Sequence, residues 1–281
     1  MMEDSHEKIH IELGDIQKTL LLPLWGRAVE SGKKHPLLVD DMAVKILQRI
    51  DFDTGTFSGE LSVISQLGWV TRSILLEEII KQFVQKHPRA TIVDIGCGLD
   101  TLFERVDNGT IRWYDLDLPD TMELRKKFFE EGARRTFIVS SFLEADWLKQ
   151  LVVQDQVLFI SAGVLYYFEE GQIRTFLRRL ANLFPGSEMA FDAASPFGVR
   201  MANKMVLKKG GMEEGSFLRW GIRDSKELES WDPRIKILSD TPFFKKIRPR
   251  TAWKTRMQLS FSDFTRIQYL VHLRFEETKD N

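Results

Sequence analysis

Over the first ninety residues the apolar positions recur at intervals of three and four. That spacing lays an apolar stripe along a helix and predicts helices over 16–31, 37–50 and 61–86. His87-Pro88 stops the third, since the residue before a proline is pushed out of the helical region. From Ala90 the period changes. ATIVDI is a short β-branched run, the pattern of a parallel strand buried on both faces. Similar runs follow at 111–118, 136–140, 155–163 and 187–195, with helices predicted over 120–131 and 170–184. The alternation predicts a parallel sheet with right-handed crossovers and helices on both faces. After Ser195 the regularity fades. Residues 196–221, rich in Met, Lys and Gly, read as an insertion or lid, and 224–230 as a short helix. Two strand candidates close the chain, 234–239 and 265–275, with no long helix expected between them. They read as an antiparallel pair at the end of the sheet.

Composition narrows the function. A chain of 281 residues suffices for one large domain or two small ones. Its net charge of −1 lacks the basic excess of a nucleic-acid binder, so no nucleic-acid partner is expected. A single cysteine, Cys97, forbids an intrachain disulfide and suggests a reducing, cytoplasmic location. The start MMEDSHEKIH has no apolar core of signal-peptide type. The longest apolar runs, 19–25 and 157–168, are too short to span a bilayer, and no membrane partner is expected. The five histidines show no metal-ligand spacing, so no metal is expected. Twenty Phe and seven Trp suggest a well-filled core or an aromatic pocket. The basic cluster KKIRPR (245–250) reads as solvated surface.

The candidate chemistry lies in TIVDIGCGLDT (91–101). Gly96 and Gly98 end a predicted strand and open a turn, as nucleotide loops do. A dinucleotide fingerprint asks for a third glycine or alanine where Thr101 stands, so the NAD pattern is incomplete. Asp94 ends the first strand, and Asp115 and Asp117 end the second. An acid there can accept hydrogen bonds from ribose hydroxyls, whether of NAD or of an adenosyl compound. Adenosylmethionine has no pyrophosphate and carries cationic sulfonium and ammonium groups. It therefore needs no third glycine and suits acidic neighbours. Cys97, between the glycines, reads as a small residue rather than a nucleophile.

Four segments resemble the leucine carboxyl methyltransferase family, in its polyketide O-methyltransferase-like branch. They are TLLLPLWGRAVESGKKHPLLVDDMAVKILQRIDFD, VDIGCGLDT, WYDLDLPDTMELRKKFF and AGVLYYFEEGQI, which together span about 15–195. The resemblance implies a class I adenosylmethionine-dependent methyltransferase fold. That fold is α/β, with a seven-stranded, mostly parallel sheet, its last strand antiparallel, and a lid insertion after strand 5. It divides the chain into an N-terminal helical cap (1–88) and a Rossmann-like core (89–281). S-adenosylmethionine is the implied cofactor and S-adenosylhomocysteine its product.

Carried over by position, the resemblance assigns Arg72 to the methionine carboxylate, which suits a guanidinium fork. Gly96 and Gly98 let backbone approach the ligand, with Asp94 beside them. Asp117 is the ribose acid and Asp115 its helper, though alternation puts both on one face of the strand. Ser141 and Phe142 flank the adenine. Lys18 matches a family lysine only weakly and reads as a solvated position. A family glutamate is replaced by Ala162, so backbone carbonyls of Ser161 or Ala162 take over its contact. Tyr166 and Tyr167 are pocket candidates, and no catalytic residue is assigned. A carboxylate acceptor is ionised at neutral pH and needs no general base, whereas a phenol needs one. With no histidine placed for that role, the expectation is O-methylation of a carboxylate or acidic hydroxyl on a small molecule. The alternatives are a protein C-terminal carboxylate, a non-catalytic adenosylmethionine binder, and an NAD-dependent oxidoreductase.

Overall fold

The computed structural model describes residues 9, 15–51, 63–209 and 217–277. The helices are α1 (Asp15–Ser31), α2 (Asp41–Arg49), α3 (Val63–Lys86), α4 (Leu102–Val106), α5 (Pro119–Arg125), α6 (Glu170–Leu183), α7 (Pro196–Lys209) and α8 (Trp253–Thr265). The strands are β1 (Thr91–Ile95), β2 (Arg112–Asp117), β3 (Arg135–Val139), β4 (Val157–Ser161), β5 (Glu188–Ala193), β6 (Ile235–Pro242) and β7 (Tyr269–Phe275). They form a seven-stranded sheet in the order β3-β2-β1-β4-β5-β7-β6. Strands β1 to β5 pair in parallel, while β7 runs antiparallel to both β5 and β6. The strand order reverses between β1 and β4, which opens a crevice at their carboxyl ends, where open α/β sheets bind ligands.

A period of two sorts the strand side chains onto two faces. Val93, Ile95, Tyr114, Leu116, Phe159 and Phe191 share a core with Ile173, Phe176, Leu177 and Leu180 of α6. Ile92, Trp113, Leu158, Ile160 and Ala190 share another with Leu75, Leu76, Ile80 and Phe83 of α3. Both faces are apolar, which is why the strands read as continuous apolar runs. The same alternation assigns Asp94, Asp115, Asp117 and Asp192 to the α3 face.

A third cluster joins α1 and α2 to the core. Leu21, Leu24, Ala28, Ala43 and Ile46 pack with Leu99, Leu124, Phe128 and Phe129. The helix expected from residue 37 starts only at Asp41, because Asp40 caps it and accepts from the Ala43 N–H at 2.9 Å. The other Asp40 oxygen accepts from Arg27 Nε (2.8 Å), Arg105 Nη1 (2.8 Å) and the Thr101 hydroxyl (2.6 Å). Arg27 also donates to the Leu99 carbonyl at 3.1 Å. One buried carboxylate thus ties α1 and α2 to α4 and to the loop before it.

Two expectations need correction. The 13-residue helix α8 stands between β6 and β7, where no long helix was expected. It was missed because most of its large apolar side chains face outward, so its stripe is not a core stripe. The lid region begins as the regular helix α7, and 210–216 lie outside the described residues.

Burial pushes the Asp40 pKa up, but Arg27, Arg105, Thr101 and the Ala43 amide together hold it below the ordinary 3.8. A depressed folded-state pKa gives stability that is full above the unfolded value and lost as pH falls through the folded one. Asp40→Asn is expected to cost about 3–5 kcal/mol near neutral pH, as for a broken buried ion pair. Urea titrations across pH check this: the loss should begin to shrink as pH falls below 3.8, where the unfolded chain takes up the proton, and disappear once pH passes the lower folded-state value.

Candidate active site

β1 runs into a loop whose glycines, Gly96 and Gly98, have φ of +68° and +47°. Glycine adopts that left-handed backbone without cost. A Cβ on Gly96 would also collide with Val164, and one on Gly98 would lie 3.1 Å from Leu20 of α1. Backbone conformation and packing both demand glycine here.

Arg125, buried at the end of α5, holds this loop from below. Its Nη1 donates to the carbonyls of Cys97 (3.3 Å), Gly98 (2.7 Å) and Asp100 (3.1 Å). Its Nη2 donates to Asp115 Oδ1 at 2.8 Å. Asp115 also accepts from Trp113 Nε1 at 2.9 Å and from Arg135 Nε at 2.6 Å. Both Asp115 oxygens are therefore occupied and the side chain is fully buried. Read as a helper to Asp117, Asp115 anchors the arginine that shapes the loop.

Asp117 is placed differently, at the rim. It accepts from the Gly98 N–H and the Leu118 N–H, both at 2.8 Å. Burial raises its pKa, and those two amides oppose the shift. Asp94 is buried directly under the loop, and its Oδ2 has no hydrogen-bond partner. Burial pushes its pKa well up, and the neighbouring Asp100 and Asp115 carboxylates push it further. The groups beneath the loop are acidic, and the buried Asp94 Oδ2 has no partner among the described residues.

Arg72 enters from α3 and is buried. Its Nη1 donates to Asp192 Oδ2 at 3.0 Å and lies 3.5 Å from the Tyr166 hydroxyl. Its Nε and Nη2 have no hydrogen-bond partner among the described residues. Asp192 Oδ1 accepts from the Gly163 N–H at 2.6 Å, which fixes the turn after β4. Gly163 has φ +80°, and a Cβ there would lie 2.6 Å from Arg72 Nη1. The guanidinium therefore lies against bare backbone. Asp192 and Gly163 were not singled out in the sequence. An acid at the carboxyl end of a strand, as in FDAAS, was the available signal for Asp192. Ala162 packs against the α3-side core, so the acid in this corner comes from β5 and not from the turn after β4.

Tyr166 and Tyr167 meet edge to face, with centroids 5.0 Å apart. Burial raises both phenol pKa values, which removes them as bases at neutral pH. Phe142, expected against the adenine, packs edge-on between Phe168 (4.7 Å) and Phe176 (4.9 Å) in the α6-side core. Ser141 is half-buried beside it, and its hydroxyl accepts from the Leu143 N–H at 3.3 Å. Burial pushes the Cys97 thiol pKa well up, against a nucleophilic role. The Lys18 side chain lies outside the described residues. Among the described residues no group of His, Cys, Asp or Glu could hold a metal.

The strand order, the lone antiparallel β7 and the Asp-x-Gly-x-Gly loop define a class I methyltransferase fold. A structure of a DUF574 family protein from Streptomyces avermitilis shares it, with a TM-score of 0.56 and 12% identity over 91% of this chain and 96% of that one. Within the class, residues 21–181 match the leucine carboxyl methyltransferase family, to which the chain belongs. It is 31% identical over 250 residues to the tetracenomycin polyketide synthesis O-methyltransferase TcmP of Streptomyces glaucescens, covering 86% of this chain and 90% of that one. It is 27% identical over 254 residues to the S-adenosyl-L-methionine-dependent methyltransferase dpfgK of Gibberella zeae, covering 84% and 85%.

The Arg72–Asp192 pair yields a stability test. Asp192→Ala is expected to cost about 3–5 kcal/mol, because it strands a buried guanidinium. Arg72→Met combined with Asp192→Leu should recover part of that loss, since an apolar pair leaves no buried charge behind. Denaturant titrations of the four combinations measure the coupling; simple additivity would show that the two side chains do not depend on each other.

Proposed function

We propose that the protein transfers a methyl group from S-adenosylmethionine to a carboxylate or acidic hydroxyl of a small molecule. The observation that carries this reading is the unpartnered Asp94 Oδ2, buried among further carboxylates beneath the glycine loop. Such a cluster of acids fits a ligand carrying positive charge and disfavours the pyrophosphate of a dinucleotide. The 31% identity to an O-methyltransferase of polyketide synthesis, over most of both chains, supports an oxygen acceptor on a small molecule.

When bound, adenosylmethionine supplies a sulfonium methyl: an O–CH3 bond forms as the C–S bond breaks, and the electron pair stays on sulfur. The residues of the chain bind and orient. Asp117, held by the Gly98 and Leu118 amides, would accept from the ribose hydroxyls. Arg72, with Nη1 committed to Asp192, has Nε and Nη2 left for the methionine carboxylate. Asp94 would face the cationic end, and a cation there would hold its carboxyl ionised against the upward push of burial. Displacement at a sulfonium depends chiefly on alignment, and these three contacts fix the donor.

The described histidines offer no base. His272 binds Glu188 at 2.8 Å, His87 lies 3.6 Å from Asp155 and packs on Phe83, and His35 is exposed in the segment between α1 and α2. That favours an acceptor already ionised at neutral pH. A protein C-terminal carboxylate is the second reading, favoured by the family's name. We place the protein in the cytoplasm on the strength of its one buried cysteine, and give it no nucleic-acid partner on the strength of its net charge.

Turnover of methyl-labelled adenosylmethionine against a panel of aromatic and aliphatic acids, phenols and peptides ending in a free carboxylate tests the reaction. Label is expected in an ester or ether of a small molecule; label only in the peptides would select the second reading. Asp117→Ala should weaken adenosylhomocysteine binding by roughly 1.5–3 kcal/mol, as for a lost hydrogen bond to a charged group, with little change in thermal stability.

Arg72→Lys keeps the charge but cannot reproduce the planar fork, so binding should fall about tenfold or more. Adenosine, which has no carboxylate, should bind mutant and wild type alike. Calorimetry showing equal losses for adenosine and adenosylhomocysteine would make Arg72 structural only.

A further inference from the structure

Helix α8 meets the protein through Leu259, Ser262 and Asp263. On its outer side stand Trp253, Met257, Phe261 and Phe264, which are 65%, 64%, 55% and 86% exposed. Their spacing of four, four and three confines them to about 80° of the helix circumference, along about 16 Å of its axis. Phe197 of α7 meets the Phe261 ring edge-on at 6.4 Å, and the exposed Met201 lies one turn further along α7. Single exposed apolar residues need no explanation, but a continuous ridge marks a contact surface.

The charge beside the ridge is one-sided. Between Asp240 and Asp263 the chain has no carboxylate, yet it carries Lys245, Lys246, Arg248, Arg250, Lys254 and Arg256. Lys246 pairs with Glu78 and Arg248 with Asp263. The other four have no carboxylate partner among the described residues. Arg250 and Arg256 donate to backbone carbonyls and so keep their charge uncompensated. Lys254 Nζ lies 5.9 Å from the centroid of the Trp253 ring.

We propose that α8 is an interfacial helix that seats the protein on an anionic lipid surface, with Trp253, Met257, Phe261 and Phe264 entering the headgroup boundary. A convex row of aromatic side chains flanked by long cationic ones is the profile of such helices. The lysine and arginine stems can lie along the apolar boundary while their heads reach lipid phosphates. The ridge spans the whole helix, more than one small molecule would cover. A two-fold contact between copies would set the same four cations against each other, which disfavours self-association here. The expectation of no membrane partner rested on the lack of a spanning run. Among the described residues no helix is long and apolar enough to cross a membrane, and an interfacial helix has no need to be.

Flotation of the full chain with vesicles tests this, using phosphatidylcholine alone and phosphatidylcholine mixed with phosphatidylserine. The protein is expected to float with the mixed vesicles only, and less as salt is raised. Trp253→Ser with Phe264→Ser should lower that partition about tenfold or more. Lys245→Gln with Lys254→Gln should remove the preference for anionic lipid. All four side chains are exposed, so both variants should melt with the wild type and bind adenosylhomocysteine equally well. No flotation, or flotation indifferent to Trp253 and Phe264, overturns the proposal. So does a dimer in sedimentation that the Trp253/Phe264 variant dissolves, without vesicle binding, since a second copy then covers the ridge. Binding to polyglutamate but not to mixed vesicles overturns it in favour of an acidic protein.

Discussion

One guanidinium, that of Arg125, fixes the geometry on which the site depends. A loop that turns through two left-handed glycines has little side-chain packing of its own to hold it. Arg125 supplies the missing constraint by bonding three carbonyls of the loop, those of Cys97, Gly98 and Asp100. Its charge is balanced by Asp115, which is in turn shared with Arg135 and Trp113. Buried ions of this kind seldom add net stability compared with an apolar core. Here they hold a backbone shape that apolar packing could not specify.

The same loop is clamped from above. Leu20 of α1 lies against Gly98, Arg27 bonds the Leu99 carbonyl, and Asp40 joins α2 to Thr101 and Arg105. Helices that read in the sequence as a lead-in are therefore structural partners of the glycine loop. α3 has two roles. Its apolar side covers β1 and β4, and Arg72 projects from it towards the end of β5. Movement of these helices relative to the sheet would disturb the loop and the Arg72–Asp192 pair together.

Charge decides which ligand suits this crevice. Asp94, Asp100, Asp115 and Asp117 gather around one loop, and Arg125 is the cation that lowers the pKa of both Asp94 and Asp117. A ligand with a sulfonium and an ammonium group relieves that excess, whereas a pyrophosphate would add to it. Arg72 sits apart from this group, paired with Asp192 through Nη1, while its Nε and Nη2 have no partner among the described residues. The acidic groups at the glycine loop and the Arg72 guanidinium thus present opposite charges at separate places in the crevice.

Much of this was legible in the sequence. Five parallel strands, the helices before them and the glycine loop follow from period and composition, because local propensity and burial on both faces impose the same pattern wherever such elements occur. Arg72 and Asp117 were marked by the resemblance to the family, and Asp94 by its place at the end of the first strand. What the sequence could not separate was two acids two residues apart on one strand face. Only the packing of α5 and β3 commits Asp115 to Arg125 and Arg135 and leaves Asp117 at the rim. Phe142, expected beside the adenine, is taken into the core by Phe168 and Phe176. Asp192 acquired its role from β5 lying beside β4, which brings it to Gly163 and Arg72, 29 and 120 positions away along the chain. Helix α8 was hidden because its apolar period points outward, and period alone does not say which side of a helix meets the core. In each case the local pattern set the element, and contacts between segments far apart in the chain set what its side chains do.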